Sequence, residues 1–296
     1  MTNSKSLVCG ALLGVAALLT LSATAPQNAG APPDELLSLH SADPRTRIRT
    51  LPYTITRCGS YYLGACLTGT AGFHGIEVLA DDVTIDLNGF TLRGTAGSRS
   101  GVRVGASHTN LAVHNGVIRG WGGDGIDAQS ADNARFFALR LSDNGGAGAR
   151  VGTTSSVRDC VSARNADFGY YLAATQALVQ DCISTADGHS GATNAAGILV
   201  TADCLVRGNS VDNSPAGGVA VRVIGSGNRI ENNHVSDSLT GYSIQGVRTH
   251  VLKNTYERSI GGGTAFAIQP GNNVGTQLMT TDPIGIQDPW ANFESR

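Results

Sequence analysis

Val206-Arg-Gly-Asn-Ser-Val211, Ile230-Glu-Asn-Asn-His-Val235 and Val251-Leu-Lys-Asn-Thr-Tyr256 are three copies of one frame. An apolar residue is followed three positions on by Asn, and two positions later by another apolar residue. Toward the N-terminus the frame continues as Val179-x-x-Cys182-x-Ser184, Val157-x-x-Cys160-x-Ser162 and Phe136-x-x-Leu139-x-Leu141. A second frame, Gly-apolar-x-apolar or a close variant of it, starts at Gly75, Gly101, Gly125, Gly148, Gly169, Gly197, Gly218 and Gly241, at intervals of 21 to 28 residues. Fixed-period self-similarity of this length is the mark of a repeat architecture.

Each apolar segment is too short for a helix and alternates with period two, so it is a strand. Gly, Asn, Asp and Ser punctuate the strands and tolerate turn backbones. Short strands recurring at this interval make each repeat one coil of a solenoid, with every strand paired in parallel to its equivalent about 4.8 Å away. Like residues then stack. Asn209, Asn233 and Asn254 form an inward file at a turn, and Leu139, Cys160 and Cys182 continue it as apolar fillers. These residues are structural in this reading. A leucine-rich repeat has an overlapping period but needs a Leu-x-x-Leu-x-Leu frame and a helix. A propeller needs repeats of about 40 residues. Neither pattern is present.

Composition agrees with an all-β solenoid. The chain has 296 residues, with 39 Gly and 15% charged residues, a poor recipe for helical bundles. A formal charge of −2 and the lack of any basic run remove the general electrostatic case for nucleic acid. Mean hydropathy of −0.03 excludes a polytopic membrane protein.

The ends read differently from the middle. Residues 1–25 have the form of a secretory signal: Lys5, then an apolar run from Leu7 to Leu21, then Ala23-Thr24-Ala25. This predicts a secreted protein, extracellular or periplasmic, with no membrane span in the mature chain. Residues 26–44 read as a flexible leader, 45–74 as an N-terminal cap, 75–269 as the solenoid, and 270–296 as a C-terminal cap in which Trp290 and Phe293 plug the last coil. Export permits disulfides. Cys58 and Cys66 flank the hairpin-like Gly59-Ser-Tyr-Tyr-Leu-Gly-Ala65 and are expected to be bridged. The number of cysteines after the signal is odd, so Cys204 is left without an assigned partner. No coiled-coil heptad points to an oligomer, and homo-oligomerisation stays open.

Leu51-Pro-Tyr-Thr-Ile-Thr56 with Gly59-Ser-Tyr-Tyr-Leu63, Val83-Thr-Ile-Asp-Leu-Asn-Gly-Phe-Thr-Leu92 and Asn115-Gly-Val-Ile-Arg-Gly-Trp-Gly-Gly-Asp-Gly-Ile-Asp127 resemble secreted bacterial right-handed parallel β-helix repeat proteins of the pectate-lyase-like superfamily. The resemblance spans roughly residues 45–290. It implies a right-handed parallel β-helix of about nine coils with caps at both ends. It also implies a superfamily that includes polysaccharide lyases and epimerases as well as non-catalytic spikes. Fold alone does not choose between these.

Lyases of this superfamily hold Ca²⁺ on outward acidic residues and use a nearby Arg or Lys as base. Here the repeat stacks Asp159 over Asp181, with Arg158 and Arg207 beside them. That makes these four the catalytic candidates and the acid pair a Ca²⁺ candidate, although Gly208 occupies the next place in the file. Arg119, Trp121, Asp124 and Asp127 form a second cluster in a Gly-rich stretch, where a ring could stack on a sugar and charged groups could read its hydroxyls. His74 and His189 lie in the longest interruptions of the period, where solenoids carry binding loops. No His-x-x-x-His or Cys-x-x-Cys pair suggests zinc. Two functions remain: an exported protein that binds an extracellular polysaccharide and modifies it as a lyase or epimerase, or a non-catalytic surface scaffold or adhesin.

Overall fold

The computed structural model describes residues 43–191, 194–212, 218–257, 263–279 and 288–295. The expected signal and the leader up to residue 42 lie outside them. Among the described residues there is no helix. Each strand pairs in parallel with strands of neighbouring coils.

The coil has three faces. Face one is a sheet of ten parallel strands running from Tyr53–Ile55 through Ala147–Val151, Phe168–Leu172 and Val219–Val223 to Thr264–Ile268. Faces two and three belong to one larger sheet, bent where the Asn/Cys file turns inward. Ser156–Arg158, Leu178–Gln180 and Leu205–Arg207 lie on face two, and Val161–Ala163, Ile183–Thr185 and Ser210–Asp212 on face three. In two coils a single strand runs through the bend, Ala112–Arg119 and Arg135–Ser142.

Period-two alternation turns one set of side chains into the tube. Val157, Val179, Val206, Ile230 and Val251 stack in register and are fully buried. Burying each such side chain contributes about 1.5–3 kcal/mol. Three corners must also turn without orphaning backbone groups, and each does so with a polar file. At the corner between faces two and three, Asn209 donates from both its backbone N–H and its Nδ2 to Asn233 Oδ1, at 3.0 and 2.9 Å. Asn254 makes the same pair of bonds to Asn292 Oδ1, at 3.0 and 3.2 Å. Cys182 N–H donates to Asn209 Oδ1, and Cys160 and Leu139 continue the file by register. The Cys160 thiol is held protonated by its bond with the Cys182 thiol and by burial. The corner between faces three and one repeats the device: Asn144 bonds Asn165 Oδ1, and Asn165 bonds Asp187 Oδ1. The third corner uses Ser155, Asn228 and Asn272.

Several expectations need correction. Cys58 and Cys66 are both free and exposed. The segment between them is not a hairpin but a strand, Gly59–Leu63, paired on both sides with other coils. Extended backbone at about 3.3 Å per residue carries its ends beyond the Cα spacing of a disulfide. Residues 45–74 are not a separate lid, since Thr46–Ile48, Tyr53–Ile55 and Gly59–Leu63 are themselves rungs. At the other end Trp290 and Phe293 are each 48% exposed and plug nothing. Asn292–Ser295 instead adds a rung to face three, and Lys253 Nζ sits 4.7 Å from the Trp290 ring centroid. The Gly frame also slips at one coil: the equivalent of Gly197 and Gly241 is Ala220, not Gly218.

Candidate functional site on face one

The outward file of face one comprises Glu77, Arg103, Asp127, Arg150, Tyr171, Leu199 and Arg222, one per coil in strict register. At about 4.8 Å per coil these seven residues span roughly 29 Å. Charge alternates along the first four, and Tyr171 follows, with Phe168 beside it on the same strand.

Charged groups on this face are unusually desolvated. Asp124 is only 8% exposed and Asp127 only 9%. Asp124 Oδ2 lies 2.7 Å from Arg150 Nε, and its Oδ1 accepts the Ala147 N–H at 2.6 Å. Burial pushes the Asp124 carboxyl up, against the pull of Arg150. Gly146 makes room for this carboxylate, because a Cβ there would come within 2.2 Å of Oδ1. The Arg150 guanidinium is 3.7 Å from Asp167 and lies over the rings of Phe168 and Tyr171, at 5.6 and 5.4 Å. Those rings pack together at 5.1 Å and, with Ala147 and Leu199, make a small apolar cluster on the outside of the tube. Asp127 pairs with Arg103 at 3.4 Å through Oδ2, and its buried Oδ1 has no hydrogen-bond partner among the described residues.

Beside Arg103 the face dips into a cleft of about 550 Å³ lined by Tyr53, Phe73, His74, Glu77, Arg99 and Arg103. His74 Nδ1 accepts the Ser100 N–H at 3.2 Å, which assigns the proton of the neutral ring to Nε2. Burial, and then Arg103, push the His74 pKa down, so the ring is neutral and offers a donor at neutral pH. Burial also lowers the pKa of Arg222 at the far end of the file. Burial-shifted ionisable groups gathered on one lateral surface are the usual physical signature of a functional site.

The expected site residues are scattered around the tube. Asp124 and Asp127 lie on face one. Arg119 lies on face three, in register with Arg93. Trp121 is not a sugar platform: it is 1% exposed, its indole N–H donates to Leu92 O at 3.2 Å, and Gly69, Gly75 and Gly101 leave the space its ring fills. The glycines around it serve coil packing, since a Cβ at Gly122 would strike Ser98 O and one at Gly125 would strike Gly148 O. Asp159 and Asp181 occupy the left-handed turn position ahead of the Cys/Asn file, with φ of 52° and 53°. Gly208, Asn232 and Lys253 hold the same place in later coils, with φ of 67°, 55° and 56°. The tolerance of Asp, Asn and Gly for that conformation accounts for most of this file. Gln180 links Arg207 to Asp181, accepting from the guanidinium at 3.0 Å and donating to the carboxylate at 2.7 Å. Arg158 and Asp159 line a groove of about 650 Å³ on face two together with Arg135 and Phe137. Among the described residues no three His, Cys, Asp or Glu side chains gather to hold a metal, so the acid pair offers Ca²⁺ no third acidic ligand. His189 lies beside Arg164 and Ala186 at the corner between faces three and one.

Arg103, Arg150, Phe168 and Tyr171 were not singled out in the sequence. For all but Phe168, which precedes the glycine, the signal is the variable position of Gly-apolar-x-apolar: Glu77, Arg103, Asp127, Arg150 and Tyr171 all stand there, in one register file.

A family model described as a right handed beta helix region matches residues 74–220. The chain is a right-handed parallel β-helix protein. In overall fold it is similar to the A-modules of two mannuronan C-5 epimerases from Azotobacter vinelandii. For AlgE6 the TM-score is 0.50 at 11% identity, covering 85% of this chain and 88% of that one. For AlgE4 it is 0.50 at 13% identity, covering 85% and 75%. The enzymatically active domain of bacteriophage CBA120 tailspike protein 2 gives 0.51 at 12% identity, with 79% of this chain but only 43% of the phage chain covered. No curated protein matches the chain in sequence.

Proposed function

We propose that the protein is exported and binds an acidic polysaccharide lengthwise along face one, acting on it by proton transfer beside a uronate carboxylate, as a lyase or epimerase does. The observation that carries this reading is the buried Asp127 carboxylate, paired with Arg103 through one oxygen while the other lacks a partner. The relatives named above as mannuronan C-5 epimerases have this fold, so the fold accommodates such chemistry.

Arg99 and Arg103 neutralise the substrate carboxylate and stabilise the charge that develops when the adjacent C–H loses its proton. Asp127 takes that proton as general base through Oδ2, the oxygen that faces Arg103, its Oδ1 being sealed from solvent. Proton return to the opposite side of the carbon gives epimerisation. Cleavage of the neighbouring glycosidic bond, with the leaving oxygen held by a hydrogen bond from the Nε2–H of neutral His74 and taking its proton from water, gives an unsaturated sugar. Phe168 and Tyr171 provide the apolar platform for residues further along the chain.

The test is incubation of purified protein with uronate polymers, followed by near-ultraviolet absorbance for unsaturated ends and proton NMR for inverted residues. Turnover that falls at least a hundredfold in Asp127→Asn with unchanged melting supports the assignment. Full activity in that variant overturns it, and binding with no turnover on any uronate leaves the scaffold reading. Export is tested by locating the full chain, and a chain lacking residues 2–25, in cell fractions.

A further inference from the structure

We infer that face three carries a second, separate groove for an anionic polysaccharide, built on Arg93, Arg119 and Arg140. Arg93 and Arg119 are direct register neighbours, and Arg140 lies one coil on, in register with Val117. All three side chains are exposed, and none has a carboxylate within ion-pair distance among the described residues. Asp143 feels the charge of Arg119 but is already engaged by both Nε and Nη2 of Arg164, at 2.7 and 3.0 Å.

Like charges stacked directly across a parallel ladder repel. No packing requirement explains them, because the side chains stand in solvent. They line two shallow cavities of about 270 and 330 Å³ that share Thr91 and Arg119 and so form one groove. No acidic residue lines either cavity. Aliphatic groups sit beside the guanidiniums: Val117 and Val161 line the groove on either side of Arg140 in one outward file, and Val161 is 36% exposed.

Guanidiniums flanking an aliphatic strip match a polymer with charged substituents and an apolar ring face. A uronate or sulfated glycan has both. A single-stranded nucleic acid would call for aromatic side chains to stack its bases, and none lines this groove. The groove lies on a different face from the Asp127 site, so it would anchor the polymer without taking part in its chemistry.

The experiment is calorimetric titration of the full chain with oligouronates at low and at moderate salt. The expected result is two oligomers per protein, with the face-three site weakening as salt rises. R93Q/R119Q/R140Q should drop the stoichiometry to one, and R103Q/D127N should independently drop it to one. A single site in the wild type that survives the triple arginine substitution overturns this inference and leaves the face-one proposal standing. A single site lost only in that triple variant does the reverse. Neutral dextran or a single-stranded oligodeoxynucleotide binding face three as tightly as the oligouronate would also overturn it. The arginine positions are exposed, and unchanged melting of the triple variant verifies folding.

Discussion

The side-chain Nδ2 and the backbone N–H of Asn233 both donate to Oδ1 of Asn254, at 3.0 and 3.1 Å. The Asn233 Oδ1 in turn receives both equivalent donors of Asn209, and its Nδ2 also reaches Val206 O. Each Asn therefore ties three coils together. Asn233→Ala leaves the buried Asn209 N–H without its acceptor and takes one bond each from Asn209 Nδ2, Asn254 Oδ1 and Val206 O. The expected loss is about 2–5 kcal/mol of unfolding free energy, read by guanidinium denaturation. A loss below about 0.5 kcal/mol would show that the corner can be satisfied without the file.

Asp187 ends the second file as a carboxyl group only 1% exposed, bonded by Asn165 and by Ser184 Oγ. Burial raises its pKa above 3.8 in the folded chain. The folded state thus keeps a proton that the unfolded state releases first, and stability falls as pH climbs from about 3.8 toward the raised folded value. An amide needs no proton and can still accept from Asn165 while donating to Ser184. Asp187→Asn should therefore flatten that acid-side decline and be the more stable form at neutral pH. Melting curves from acid to neutral pH check this, and a wild-type-to-variant difference that ignores pH would refute it.

Trp121 and Trp290 should be separable by quenching. Trp121 is sealed inside the tube and Trp290 is 48% exposed. Iodide should quench wild-type emission in part, and Trp290→Phe should remove nearly all of the quenchable fraction. Trp121→Ala should cost about 3–5 kcal/mol of stability by opening a core cavity. Quenching that persists in Trp290→Phe would place Trp121 in solvent.

Cys58 and Cys66 are free, so neither reductant nor the double substitution C58S/C66S should change the unfolding free energy by more than the roughly 0.5 kcal/mol typical of surface changes. A large drop on reduction would mean that a bridge forms in the isolated protein.

The coil architecture was readable because its cause is periodic. A parallel stack forces like residues into files, so Asn209, Asn233 and Asn254 recur at one spacing and need no tertiary knowledge to align. Face one was harder, because its outward position carries Glu77, Arg103, Asp127, Arg150 and Tyr171 in turn. No residue type repeats there, although the pattern around it does. Trp121 misled because its burial depends on space left by Gly69, Gly75 and Gly101 elsewhere in the stack. Cys58 and Cys66 misled because nine residues are enough for either a reversal or a straight strand, and only the pairing of Tyr61 with Thr46 and Ile85 decides it. Asp159 and Asp181 looked chemical, but acids and amides are also the residues that accept a left-handed backbone.

The one-way donation from Asn209 to Asn233 to Asn254 to Asn292 has a consequence for growth of the molecule. A coil that offers upward the same donors it satisfies from below is interchangeable with its neighbours. Splicing a duplicate of residues 209–232 into the chain would create no new kind of junction. It would lengthen the column by one sheet spacing and add a second Arg222 to the outward file of face one, so that tandem duplication can tune the reach of such a protein without redesigning its interior.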